Sequence, residues 1–365
     1  MGQTNLRKGR LDDRLEHPPI DPRFTGLNSR YQGRQRGTNQ SGDPAPTIYP
    51  PMSKTLAIIL PAYNEELTIV DTMKDFFSVC PEAEIYVIDN ASKDRTNQLA
   101  RAAYQELGCK GRLLEEPRKG KAAAVRKAFM EINADIYVMA DADMTYPASD
   151  LPALLAPVLD GRADIVCGNR HSSGVYSREN KRPLHDFGNN LVRWLINALF
   201  NGSLEDILTG YRIMSKRFVK NYPILAAGFE LETEMSIHAL DKGYSIIELP
   251  TDYRDRPAGS FSKLNTLTDG ILVLKTIFAI FVKYRPMMFF SLCSLGFAAA
   301  ALTAGIFPIM EYINTGKILH IPLAILASGL SILSMLSFSV AVILDGLAAG
   351  QRFNHALQLL HWGDR

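Results

Sequence analysis

Apolar positions fall into two regimes along the chain. From about residue 56 to 170, short apolar runs alternate with segments of helical spacing; beyond residue 286 the runs become long and uncharged. In the first regime Leu56–Leu60, ending at Pro61, predicts a buried strand that leaves as a loop over Ala62, Tyr63 and Asn64. Glu65–Phe77 has helical spacing, and Ile85–Ile88 predicts a second strand ending at Asp89. Asp94 is placed to cap a helix over Arg95–Leu107. Arg112–Leu114 predicts a third strand, Gly120–Ile132 a helix, Ile136–Ala140 a fourth strand and Ile165–Cys167 a fifth. This alternation predicts an α/β fold with a mostly parallel, doubly wound sheet. Ligands of such sheets bind beyond the carboxyl ends of the strands. Pro61 to Tyr63, Asp89, and the pair Asp141 and Asp143 all stand at such ends.

In the second regime, Met287–Met310 and Ile321–Leu344 carry no charge, and each exceeds the ~20 apolar residues that span a bilayer. The link Glu311–His320 is short, so both outer flanks fall on one side. Lys283 and Arg285 precede the first span and Arg352 follows the second, against Lys317 alone in the turn. Positive flanks put the large domain in the cytoplasm, with a bacterial plasma membrane as the default setting. Ahead of the spans, Thr266–Lys283 places Leu267, Ile271, Leu274, Ile277, Phe278 and Phe281 between Asp269, Lys275 and Lys283, as a helix lying on a membrane surface would. The expected organisation is an extended or disordered segment over 1–52, a catalytic domain over 53–262 and a juxtamembrane amphipathic helix over 263–286. Transmembrane helices over 287–313 and 321–346 and a cytoplasmic segment over 347–365 follow.

Composition changes little in this picture. The first fifty residues are rich in Arg, Gly, Pro, Asn and Asp and hold no apolar run, so neither a signal peptide nor a packed core is expected there. A net charge of +2 over 365 residues gives no case for a nucleic-acid partner. The four cysteines show no paired spacing, which argues against a disulfide framework or a zinc site.

The chemistry centres on Asp141 and Asp143, whose hard oxygens suit Mg²⁺ or Mn²⁺ held against a diphosphate. Asp89 and Glu65 are placed to hydrogen-bond a base or ribose, and Lys119 and Lys121 put cations at a helix start. Arg170, Arg182, Arg212 and Arg256 stand in loop settings where guanidinium groups can take phosphate; Arg170 and Arg256 rank first because the site should open at their turns. Glu232, in a run of carboxylates at a helix start, either orients hydroxyls or complements the helix dipole.

These motifs together resemble the family-2 glycosyltransferases of the GT-A fold, and more narrowly the polyisoprenyl-phosphate glycosyltransferases. That group contains dolichol-phosphate mannosyltransferase and undecaprenyl-phosphate glucosyltransferases. The resemblance is carried by Pro61-Ala62-Tyr63-Asn64-Glu65, Asp89 through Asp94, Lys119-Gly120-Lys121, Asp141-Ala142-Asp143, Gly168-Asn169-Arg170, Asp206 through Arg212 and Arg256 through Lys263, in that order. It implies a GT-A (Rossmann-like) catalytic domain and inverting transfer of one sugar from a nucleotide-sugar to polyisoprenyl phosphate. It further implies that Pro61, Tyr63, Glu65 and Asp89 line the nucleoside pocket, with Lys121 among the donor-binding groups. Asp141 would face the donor ribose or diphosphate and Asp143 would be the main metal ligand. Arg170, Arg182 and Arg256 would hold phosphates, and Lys263 would close the site near the membrane. A homo-oligomer is the assembly the resemblance suggests.

One position departs from the mannosyltransferase pattern. Thr145 stands where those enzymes carry a glutamine ligand, which favours a UDP-sugar such as UDP-glucose or UDP-N-acetylglucosamine over GDP-mannose. The motifs are also compatible with transfer to a diacylglycerol-type lipid and with a non-catalytic membrane partner that binds a nucleotide-sugar. Asn190 through Trp194 is similar to a motif of processive synthases, but it precedes Glu232 and lacks the glutamine, so polymer synthesis is not expected.

Overall fold

β1 (Leu56–Ala62) forms the centre of the sheet because both of its faces are apolar: Leu56, Ile58 and Leu60 point into one core layer, Ala57 and Ile59 into the other. The computed structural model describes residues 54–173, 183–224, 231–254, 278–282 and 284–363. The expected 1–52 segment lies outside these residues, as do Arg182, Arg256, Lys263 and most of the amphipathic helix expected over 263–286.

β2 (Glu84–Asp89) and β4 (Ile136–Met139) pair parallel to β1 on either side, and β3 (Gly111–Glu115) pairs parallel to β2. Among the described residues the sheet has seven strands, in the order β3-β2-β1-β4-β6-β5-β7. The chain therefore winds outward from β1 to β3, then crosses back to β4. The reversal opens a crevice at the carboxyl ends of β1 and β4, where doubly wound sheets bind ligands.

Two strands escape the hydrophobic pattern. β6 (Arg212–Ser215) is only four residues long and pairs antiparallel with both β4 and β5 (Ile165–Asn169). β7 (Ile246–Pro250) is a half-buried edge strand parallel to β5. Because β6 runs against its neighbours, its start meets the carboxyl end of β4, with Met139 opposite Arg212.

Helices cover both faces. α1 (Ile69–Val79), α2 (Thr96–Leu107) and α4 (Leu151–Leu159) bury Ile69, Met73, Phe76, Ala100, Ala103, Leu151 and Leu154 in one layer. α3 (Lys121–Glu131), α6 (Lys216–Asn221) and α7 (Leu231–Asp241) bury Val125, Ala128, Phe218 and Met235 in the other. α1 starts four residues later than its periodicity predicts. The Glu65 and Glu66 backbone N–H groups donate instead to Thr96 Oγ1 (2.8 Å) and Asp94 Oδ2 (3.1 Å), which hold the segment as a turn. α2 starts one residue later than expected, with Arg95 rather than Asp94 at the N-cap position and no side-chain cap bond there; Asp94, one residue earlier, accepts from Thr96 N at 3.0 Å.

α5 (Pro183–Phe200) packs Val192, Ile196 and Phe200 against Ile237 and Ile280. Its last turn is tied to the chain ahead of the apolar hairpin, since the Arg285 guanidinium donates to Leu199 O at 2.6 and 2.9 Å and lies over the Phe200 ring. The hairpin itself is α8 (Pro286–Thr315) and α9 (Ile321–Gly363), two helices long and apolar enough to cross a membrane. They turn at Gly316, whose φ of 66° is left-handed. Ser294 and Ser334 bond across them, and large apolar side chains such as Leu302, Phe307 and Met335 face outward. α9 runs beyond the expected span and returns to the sheet domain: His355 Nε2 meets Tyr244 Oη at 3.1 Å, and Arg352 pairs with Asp241 at 3.4 Å.

Candidate active site

Three loops meet at the carboxyl ends of β1, β2 and β3. Asn64 and Ala91 adopt left-handed φ of 55°, which turns both chains sharply after their strands. Asn64 Oδ1 accepts from Lys93 N, and Ser92 Oγ accepts from Asn64 N, so the two loops are stitched together. Asn90 extends the seam. Its amide donates to Arg118 O (2.6 Å) and Glu116 O (3.2 Å) and accepts from Gly120 N (2.7 Å). Asp89 is buried, with Oδ1 taken by Ser92 N and Oδ2 by Asn97. Tyr63, beside Pro61, lies beneath Lys119, whose Nζ is 6.0 Å from the ring centroid. This corner gathers Pro61, Tyr63, Glu65 and Asp89, the residues expected to line a nucleoside pocket.

The carboxylate pair follows β4. The Ala142 carbonyl between them accepts from Thr68 Oγ1 (2.8 Å) and Thr72 Oγ1 (3.2 Å), which pins the loop to α1. Asp143 is only 3% exposed and accepts from Thr145 Oγ1 at 2.5 Å. Thr145 therefore orients Asp143. Asp141 is more open and bonds Lys121 Nζ, which also pairs with Glu232 at 2.6 Å. Burial opposes the charge on Lys121, but Asp141 and Glu232 outweigh it and hold its pKa above the ordinary lysine range.

Two candidate arginines are spent within the scaffold. Arg170 is 8% exposed and grips the Asp206 carboxylate with Nε at 2.7 Å and Nη2 at 2.9 Å, its face over Tyr253. Burial raises the Asp206 pKa and the Arg170 bonds more than reverse this, leaving it below the usual carboxylate value. Arg212 is fully buried and donates to Ile207 O, Thr209 O and Ser236 Oγ. Its Nε and Nη2 face protein carbonyls and the Ser236 hydroxyl, while its buried Nη1 has no hydrogen-bond partner among the described residues.

The residues fit a divalent ion in a particular way. Among the described residues, no cluster of three or more His, Cys, Asp or Glu side chains is arranged to hold a metal. Mg²⁺ and Mn²⁺ sites of phosphate enzymes commonly use one or two carboxylates and complete the shell with substrate phosphate and water. Asp141 and Asp143 supply that minimal donor set. Gly210 keeps room for it, since a Cβ there would stand 2.7 Å from Asp141 Oδ2. Thr68 carries no signal of its own in the linear sequence, and Gly210 is legible there only as part of the Asp206-to-Arg212 motif. Each matters only because the fold brings it to the carboxylate loop.

Comparison with known proteins places the chain in a family. The profile of glycosyl transferase family 2 matches residues 57–222. Glycosyltransferase AglJ of Haloferax volcanii is 30% identical over 260 residues, covering 70% of this chain and 81% of that protein. The dolichyl-phosphate hexose transferase of the same organism is 30% identical over 231 residues, 63% of this chain and 95% of that one. Among solved structures, glucosyl-3-phosphoglycerate synthase from Mycobacterium tuberculosis, crystallised with Mn²⁺, UDP and phosphoglyceric acid, matches with a TM-score of 0.48 and 23% identity, covering 62% of this chain and 78% of that one. The chain belongs to glycosyl transferase family 2. It is a glycosyltransferase built on a mostly parallel sheet, with two C-terminal helices of membrane-spanning length.

Proposed function

We propose that this glycosyltransferase moves one sugar from a nucleotide-sugar, a UDP-sugar in preference, to polyisoprenyl phosphate at the cytoplasmic face of a membrane, by default the bacterial plasma membrane. The observation that carries the reading is the Arg285–Leu199 tie, which joins the domain bearing Asp141 and Asp143 to the first membrane-length helix. A site so tethered meets a soluble donor on one side and a lipid acceptor on the other. The similarity to a dolichyl-phosphate hexose transferase supports the acceptor class. UDP is favoured because Thr145, in place of a further ligand, donates its hydroxyl to Asp143.

In this reading the nucleoside lies along Tyr63 and Asp89, and its diphosphate points to Lys121, Asp141 and Asp143. Asp141 and Asp143 would hold a Mg²⁺ or Mn²⁺, which would offset the charge that grows on the departing nucleoside diphosphate. An acceptor phosphate oxygen attacks the anomeric carbon as the bond to the diphosphate oxygen breaks, with inversion. The acceptor is already an anion, its second pKa about 6, so no strong base is required. Arg182, Arg256 and Lys263 are the acceptor-phosphate candidates, together with Arg170 if Asp206 yields it.

The test offers radiolabelled UDP-glucose, UDP-N-acetylglucosamine and GDP-mannose separately to detergent-purified protein with polyisoprenyl phosphate and Mg²⁺ or Mn²⁺. Label in the lipid phase with one donor is the expected result. No label on polyisoprenyl phosphate, with label appearing when a diacylglycerol-type lipid is offered in its place, would overturn the acceptor assignment.

A further inference from the structure

Lys121 opens α3 with its ammonium between carboxylates from two other elements, Asp141 beyond β4 and Glu232 in the first turn of α7. The three side chains are shielded, at 16%, 30% and 6% exposure. In so dry a place an ammonium is the countercharge that two carboxylates need. It is also a competitor. A divalent ion can take the Asp141 oxygen only as the bond to Lys121 is given up, since two cations on one carboxylate oxygen repel. A diphosphate removes the conflict, because its oxygens accept from an ammonium and ligate a metal together.

We propose that Lys121 couples metal binding to donor binding. This rests on the nucleotide-diphosphate reading above. Before the donor arrives, Lys121 holds Asp141 and keeps free metal from it. The donor diphosphate then draws off the ammonium and releases Asp141 to the metal, while Glu232 retains Lys121 in the site. Metal and nucleotide therefore enter together and bind poorly apart.

The experiment measures Mn²⁺ binding to the full chain in detergent, by calorimetry and by the electron paramagnetic resonance signal of free Mn²⁺, alone and with UDP or GDP. For the unaltered protein, nucleotide should tighten Mn²⁺ by about tenfold or more. Lys121→Met should bind Mn²⁺ about tenfold more tightly without nucleotide and lose the enhancement, whereas Lys121→Arg should keep the unaltered pattern. Thermal melts check that each variant folds. Should Lys121→Met fail to fold, Glu232→Gln gives a second reading: its ammonium rests on Asp141 alone, so Mn²⁺ binding with nucleotide should weaken by about tenfold. Lys121→Met binding Mn²⁺ no more tightly than the unaltered protein, or Glu232→Gln matching it, would overturn the proposal. The nucleotide-free arm does not depend on the donor, and no arm depends on the acceptor. A failed lipid transfer with the expected Mn²⁺ pattern would sink the function alone; successful transfer with unchanged Mn²⁺ binding would sink the coupling alone.

Discussion

A Cβ on Gly210 would lie 2.7 Å from Asp141 Oδ2, so the approach to β6 leaves room for this carboxylate only as glycine. The near atom is the end of a movable side chain, and the Gly210 N–H bond to Tyr146 Oη can persist. Gly210→Ala should therefore keep the fold and displace Asp141. The expected result is a normal melting temperature with turnover reduced by about 10²-fold, the penalty usual for a misplaced catalytic group. Steady-state transfer assays beside a thermal melt measure both.

Asp143 is buried and oriented by Thr145. Asp143→Asn keeps the shape and removes the charge. Turnover should fall by about 10²–10³-fold or more, as when electrostatic stabilisation of a leaving group is lost. Near-normal transfer by this variant would remove Asp143 from the metal assignment.

The Arg170–Asp206 pair gives a pH-dependent stability. Because Asp206 is held below its unfolded pKa of about 3.9, its contribution is present above that value and disappears as pH falls through the folded pKa. Asp206→Asn leaves the Arg170 guanidinium buried without its countercharge and should cost about 3–5 kcal/mol at pH 7. The gap between the two proteins should hold down to about pH 5 and close below about pH 4. Chemical denaturation across that range is the measurement; a gap independent of pH would contradict the assignment.

His355 and Arg352 fasten the end of α9 to Tyr244 and Asp241. His355→Ala removes a buried hydrogen bond and ring contacts with His238 and Tyr244. It should destabilise the protein by about 1–2 kcal/mol. The domain should melt a few degrees earlier with KM for the donor unchanged, as read by thermal denaturation in detergent and initial rates.

Short-range pattern carried much of this protein. The alternation from Leu56 to Asn169 follows from residues that must bury both faces of a strand or one face of a helix, and that requirement is written in neighbouring positions. The same holds for the two uncharged helices and for Asp141 and Asp143, placed by the strand that ends before them. The antiparallel return of β6 was not legible, because Arg212–Ser215 is too short to show a period and its pairing is set by neighbours already in the sheet. That return decides what meets Asp141. The joining of Lys121 to Glu232, 111 residues apart, and the claim of Asp206 on Arg170 likewise depend on which charges the fold buries together. Sequence by itself determined which groups could do the chemistry; the tertiary structure decided which were already paired, because the cost of burying a charge is settled only where its countercharge stands.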